Sequence, residues 1–169
     1  MELIIESRTH GGQVVLIDDW LWPFIKHWKW GINKKGSGFY CERKALVDGK
    51  ERHIQLSRFI LGITDRKTLV DHKNHNTLDN RCNNIRACTN SQNQCNRRRV
   101  PGRRLSAYKG VNVCNKNGVK MYRPAISING KVKHLGRFPL TPCGELCAAL
   151  AYDRVAIELH VDFACLNFQ

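Results

Sequence analysis

The chain has 169 residues, 42% of them hydrophobic and 25% charged, which leaves room for one medium domain or two or three small ones and argues against a disordered or fibrous protein. Its 28 Lys and Arg against 14 Asp and Glu leave a net charge of +14, the balance of a protein that meets a polyanion, nucleic acid first. No apolar run approaches the roughly 18–20 residues of a membrane span. The opening Met1-Glu2-Leu3-Ile4-Ile5-Glu6 has acids where a signal peptide has bases, so a soluble, intracellular protein is expected.

Residues 1–52 alternate short apolar runs with turn signals at Gly11-Gly12, Asn33, Gly36-Ser37-Gly38 and Asp48-Gly49. Val14–Ile17, Phe39–Cys41 and His53–Leu56 are predicted strands, the last two flanking a hairpin, and the region is expected to be a small β-rich unit. All four tryptophans, Trp20, Trp22, Trp28 and Trp30, fall within eleven residues. Bases could stack on them, but a small β-unit needs bulky rings for its interior, and a core role is expected.

Residues 53–99 form the second predicted unit. Leu69-Val70-Asp71 ends a short strand, a polar loop runs from His72 to Asn84, and Ile85–Cys88 makes a second strand. Thr89 then opens a helix, with Gln92 three residues on completing a capping box. That helix is expected to run through Asn93, Asn96 and Arg97-Arg98-Arg99 and to stop at Pro101-Gly102.

A basic linker, 100–105, carries Arg103 and Arg104. Beyond it Lys109–Val113, Met121–Ile128 and Val132–Phe138 are predicted strands, joined by turns at Asn115–Gly118 and Asn129-Gly130. Thr141-Pro142 supplies the N-cap and first residue of a helix whose apolar stripe is expected at Leu146, Ala149, Leu150, Ala156 and Ile157. Three antiparallel strands packed on one helix make a complete small unit, so the fold class expected for the whole chain is α+β. The excess charge is segregated here: residues 80–144 hold 14 Lys and Arg and no acid, and the rest of the chain sums to zero.

Eight cysteines are present, but Cys82, Cys88, Cys95, Cys143 and Cys147 contain no C-x-x-C pair. Zinc held by the middle trio with a histidine is conceivable; reduced, packing cysteines are expected.

The chemistry concentrates in the polar loop. Cutting a phosphodiester needs a base to activate water and a divalent cation to offset charge on the phosphate. A histidine near neutrality can be the base, and a carboxylate with a side-chain amide oxygen suits Mg²⁺. Asp71-His72 alone reads equally well as a surface turn. However, Val70-Asp71-His72-Lys73-Asn74-His75-Asn76-Thr77-Leu78-Asp79-Asn80, then Asn84-Ile85-Arg86, then Thr89-Asn90-Ser91-Gln92-Asn93 closely resembles the core of phage-type HNH homing endonucleases, with V-D-H, D-N, N-L-R and Q-N in order and spacing. The resemblance implies a central ββα-metal nuclease motif in which His72 is the general base, Asp71 and Asn93 bind one Mg²⁺ or Mn²⁺ ion, and Asn84 pins the loop by bonding its backbone. Two departures stand out: Ser57-Arg58 where relatives often have His-Arg, and His75 where they tend to have Asp or Gly. Such enzymes travel with mobile introns, phages and organelle genomes.

The C-terminal stretch resembles a second family. Ser106–Val111, Asn129-Gly130-Lys131, His134–Phe138, Ala151-Tyr152-Asp153 and Leu166-Asn167-Phe168 look like the plant AP2/ERF (ethylene-response-factor) domain, across residues 106–168. That family lays its sheet in the DNA major groove with the helix behind. By strand alternation Lys109, Asn112, Arg123 and His134 should then face DNA, with Lys116, Lys120, Lys131 and Lys133 on rims and turns. Arg97, Arg98, Arg99, Arg103 and Arg104 add to this cationic set.

The reading is a metal-dependent DNA endonuclease that nicks one strand, built of a β-rich region (1–52), a nuclease unit (53–99), a linker (100–105) and a DNA-binding unit (106–169). Its expected partner is double-stranded DNA, without membrane or small-molecule substrate, and a monomer is favoured. The alternatives are a DNA regulatory protein whose nuclease unit is inactive, or an RNA-binding structural protein, which lacks any aromatic RNA-stacking motif.

Overall fold

The structure is a computed structural model that describes residues 1–99, 102, 105–128 and 130–168. Arg103, Arg104 and Asn129 lie outside the described residues. The chain divides into two compact units, Met1–Asn93 and Gln94–Gln169.

In the first unit, β1 (Glu2–Ser7) and β2 (Gly11–Leu16) form an antiparallel hairpin. A short 3₁₀ turn at Asp19–Leu21 runs into α1 (Trp22–Ile25), where Leu21 and Ile25, one turn apart, point inward. The same periodicity sends Trp20 and Phe24 outward, each 60% exposed, and Trp22 and Trp28 are partly exposed, at 40% and 39%. The expectation of a tryptophan core is therefore corrected. Only Trp30 packs against the interior among the four, and its indole N–H donates to the Ile25 carbonyl at 3.0 Å.

Strands β3 (Gly31–Lys35), β4 (Gly38–Val47) and β5 (Lys50–Gln55) make an antiparallel sheet in chain order. Its β4–β5 turn has Asp48 and Gly49 at φ 52° and 70°, the double positive φ that an Asp-Gly hairpin supplies. Helix α2 (Leu56–Ile60) follows at once. One buried cluster draws on Val15, Ile17, Leu21, Ile25 and Cys41 together with Leu56 and Leu78, so a single core spans the sequence on both sides of residue 52. Strands β6 (Leu69–His72) and β7 (Ile85–Cys88) then pair antiparallel, and α3 (Asn90–Asn96) follows. The capping box forms: the Gln92 amide donates to the Thr89 hydroxyl, and the Thr89 amide donates to the Gln92 side chain at 2.8 Å. The helix ends at Asn96, ahead of the arginine triplet it was expected to include, with a tighter final turn in which Arg97 N–H donates to the Gln94 carbonyl.

In the second unit β8 (Val111–Lys116), β9 (Val119–Ile128) and β10 (Lys131–His134) pair antiparallel around β9, and β11 (Phe138–Pro139) extends the β10 edge of β9. The expected third strand is thus split at Leu135–Arg137, where Gly136 takes φ 117°. Helix α4 (Pro142–His160) starts at Thr141, whose hydroxyl accepts from Gly144 N–H at 3.1 Å. It buries Gly144, Ala148, Ala149, Tyr152, Asp153 and Ala156, whereas Leu146, Leu150 and Ile157 face solvent, a correction to the expected stripe. At the start of that face the approach is close: a Cβ at Gly144 would stand 2.1 Å from the Pro139 carbonyl oxygen. The whole is mixed α+β, with several small antiparallel sheets and few helices. No helix among the described residues is long and apolar enough to cross a membrane.

Candidate active site

The β6–β7 hairpin delivers Asp71 and His72 side by side. Cross-strand register sets Asp71 opposite Arg86 and His72 opposite Ile85, and both polar side chains are buried, at 5% and 6% exposure. A carboxylate at that depth needs partners. Arg86 supplies them, its Nε and Nη2 donating to Asp71 Oδ2 at 2.8 and 2.6 Å. His72 is hydrogen-bonded by the Asn80 side chain. Burial holds its imidazole below the ordinary histidine value of 6.5, and the Asn80 bond and the Asp71 and Asp79 carboxylates, which pull the other way, do not offset it. At neutral pH the ring is therefore uncharged and able to accept a proton.

The loop between these strands is held rigid by its own side chains. The Asn84 amide donates to the Asp79 carbonyl at 2.7 Å, and its oxygen accepts from Asn74 N–H at 3.0 Å. The Asp79 carboxylate, 1% exposed, accepts from Asn74 Nδ2 and from Arg81 Nε and Nη2 at 2.8, 2.8 and 2.7 Å. Those bonds keep it below the usual carboxylate range, that of Arg81 foremost. Asn80 Nδ2 donates to the Leu78 carbonyl, which orients the amide that meets His72. The loop is also tied to the β-rich residues: Leu16 N–H donates to Leu78, Asn80 N–H to Leu16, and Cys82 N–H to Asp18 Oδ2 at 2.9, 2.8 and 2.7 Å. The N-terminal hairpin is thus scaffold for the loop, a role its sequence gave no sign of.

Asp71, His72, Asn80 and Asn84 are drawn together on this loop and hairpin. Asn93 lies half-buried one turn into α3, its N–H donating to the Thr89 carbonyl at 3.0 Å. Ser57, at the first departure from the HNH pattern, is buried, while Arg58 beside it donates to the Thr68 carbonyl at 2.6 Å, just ahead of β6. At the second departure His75 sits at φ 66°, a backbone region that favours Gly, Asn or Asp. Sequence reasoning gave no role to Asn80, Asp79 or Arg86, although each stands inside the quoted D-N and N-L-R matches. Among the described residues no group of three or more His, Cys, Asp and Glu is placed to hold a metal, which covers the zinc trio; Cys88 is buried and Cys82 exposed.

On the second unit, register places Asn112 opposite Arg123 and Ala125 opposite His134, so Asn112, Arg123 and His134 share the sheet face away from α4. Lys116 has the same parity; Lys120, Lys131 and Lys133 have the other, and all four are exposed. Lys109 departs from the expected face. It precedes β8, its ammonium donates to the Cys95 carbonyl, and burial lowers its pKa. Arg97 and Arg98 are exposed and Arg99 is half-buried.

The fold and site define a small α+β protein whose polar centre is a neutral histidine beside a buried carboxylate. Over 151 residues the chain is 31% identical to a protein of Acanthamoeba polyphaga mimivirus named as an uncharacterized HNH endonuclease, a match covering 86% of this chain and 70% of that relative. The chain belongs to the HNH endonuclease family. No family model matches, and no solved structure matches.

Proposed function

We propose that this chain is a metal-dependent DNA endonuclease of the homing type, which cuts one strand at the 71–93 site and grips DNA with an AP2/ERF-like unit. The observation that carries the reading is the buried, neutral His72 beside Asp71 in a loop fixed by Asn84. The neutral imidazole takes a proton from water as that water attacks the phosphorus and the bond to the 3′ oxygen breaks, leaving a 5′-phosphate and a 3′ oxygen that takes a proton from solvent. Asn80 fixes the ring, and Asn84 fixes the loop that carries it. The donors suit a hard cation: a carboxylate oxygen from Asp71 and an amide oxygen from Asn93, with remaining positions left to water and phosphate. Those two residues would hold Mg²⁺ or Mn²⁺, which supplies charge stabilisation at the scissile phosphate and leaving oxygen. Arg86 neutralises Asp71 within the protein and keeps its carboxylate oriented. The open sheet face with Asn112, Arg123 and His134, rimmed by exposed lysines, supports contact with phosphates and base edges.

Supercoiled plasmid and DNA of the native source, incubated with the protein in Mg²⁺, in Mn²⁺ and in EDTA, test this. Relaxed circles that form only with metal, and that disappear with Asp71→Ala, support the reading. Tight binding without cleavage of either DNA moves the function to a regulatory DNA-binding protein.

A further inference from the structure

Charge in the first 79 residues nearly balances, but the β3–β5 sheet sorts it by face. Register sets Arg43 opposite Ile54 and Ala45 opposite Arg52, so the two arginines are diagonal neighbours on one face, roughly 7–8 Å apart at Cα. The acids of these strands lie on the other face and are engaged there. Glu42 accepts from Asn33, Lys35 and His53, and Glu51 pairs with Lys44. Among the described residues Arg43 and Arg52 have no such partner: the Nε of each is buried with no hydrogen-bond acceptor. Stacking holds the Arg43 guanidinium in place, its carbon 4.5 Å from the Trp28 ring centroid and 5.9 Å from that of Trp30. Two cavities open beside them. One of about 530 Å³ is bordered by Trp28, Trp30 and Arg43, and one of about 620 Å³ by Arg52, Arg58, Phe59 and Arg66. Both fall in the range of about 300–1,000 Å³ usual for ligand sites. The carboxylates bordering them are occupied, Glu42 as above and Asp65 by the amides of Lys67 and Thr68.

Two like charges with buried, unsatisfied N–H groups are unfavourable neighbours unless an anion joins them. The missing acceptor must be negative, offer several oxygens and reach a face walled by aromatic rings. A phosphate meets all three needs, and guanidinium matches it in a fork geometry. We propose that Arg43 and Arg52 form a phosphate-binding site on the β4–β5 face, distinct from the 71–93 site, that takes a backbone phosphate of a nucleic acid strand or the phosphates of a free nucleotide. Arg58 and Arg66 border the same cavity as Arg52 and widen the cationic rim. The exposed Trp28 edge borders the groove where an attached base would lie.

The test is binding in EDTA, where no cleavage occurs. Anisotropy of a labelled duplex across a KCl series is measured for wild type, R43Q, R52Q and the R43K/R52K double variant, each checked by thermal melt. ATP titrations at matched ionic strength run beside them. Each Gln variant is expected to lower the slope of log K against log salt by about 1, on unrelated sequences alike, while the Lys pair keeps the wild-type slope. Unchanged duplex slopes with ATP binding lost in both Gln variants assign the site to a free nucleotide. If neither duplex slope nor ATP binding changes, or if the Lys pair fails as badly as the Gln variants, the arginines only pack on the indoles and the proposal falls.

Discussion

Asn84 offers the sharpest test of how the site is held. It is 6% exposed and makes two side-chain bonds with different burial at their far ends. The Asp79 carbonyl belongs to a residue only 1% exposed, so losing the Asn84 donor leaves an acceptor that water does not reach, at about 1–3 kcal/mol. Asn74 is exposed, so its N–H can turn to solvent and its lost bond costs about 0.5–1.5 kcal/mol. Asn84→Ala should therefore destabilise the first unit by about 2–4 kcal/mol, a large share of the roughly 5–15 kcal/mol of a typical domain. Asn84→Asp keeps the acceptor for Asn74 but aims a carboxylate at the Asp79 carbonyl, so it should be at least as harmful. Urea denaturation in EDTA at pH 7 reads both variants, with the extrapolated free energy compared with wild type. Hydrogen exchange at Lys73 and Asn74 reports whether the loop opens ahead of the rest. Either variant falling within about 0.5 kcal/mol of wild type refutes the claim that Asn84 pins this loop.

The pH dependence follows from His72. Its folded pKa lies below the unfolded value of 6.5, so its contribution is present above pH 6.5 and is lost as pH falls toward the folded pKa. Metal-free wild type should accordingly lose stability below pH 6.5 faster than His72→Gln, measured by thermal melts in EDTA, and parallel curves would count against burial of a neutral ring. Gly110 combines φ 76° with a Tyr152 ring 2.0 Å from the place of a Cβ, so Gly110→Ala should cost about 2–5 kcal/mol, read as a fall in the melting temperature of the second unit. Val161 caps α4 at φ 45° and ψ −118°, a conformation suited to glycine, and it is 68% exposed. Val161→Gly should then stabilise by about 0.5–1 kcal/mol in the same assay, once the entropy of glycine in the unfolded chain is subtracted.

What could be read in advance was local. The Thr89–Gln92 box, the Thr141 cap and the Asp48-Gly49 hairpin depend on residues a few positions apart, and each forms where its signal stands. The adjacency of Asp71 and His72 on a strand end is of the same kind. What stayed hidden depends on partners far along the chain. Trp20, Trp22 and Trp28 lie outward because Leu21 and Ile25 already fill the interior against Leu56 and Leu78. Gly144 lies on the packed face of α4 because Pro139 comes so near, which hydrophobicity alone does not signal. Lys109 turns inward to a carbonyl 14 residues before it, and alternation along β8 carries no trace of that. In the candidate site, Asn80 and Asp79 take their roles only once the loop closes on itself and on Leu16.

In the proposed function His72 is the general base, and the rest of the chain would deliver DNA to it. The most direct measurement is the single-turnover cleavage rate of His72→Ala against wild type, in Mn²⁺, at protein concentrations where anisotropy shows equal DNA occupancy. A general base of this kind is worth about 10²–10⁴ in rate. A fall of that size with binding intact is the expected result. Cleavage at the wild-type rate by His72→Ala would contradict the account.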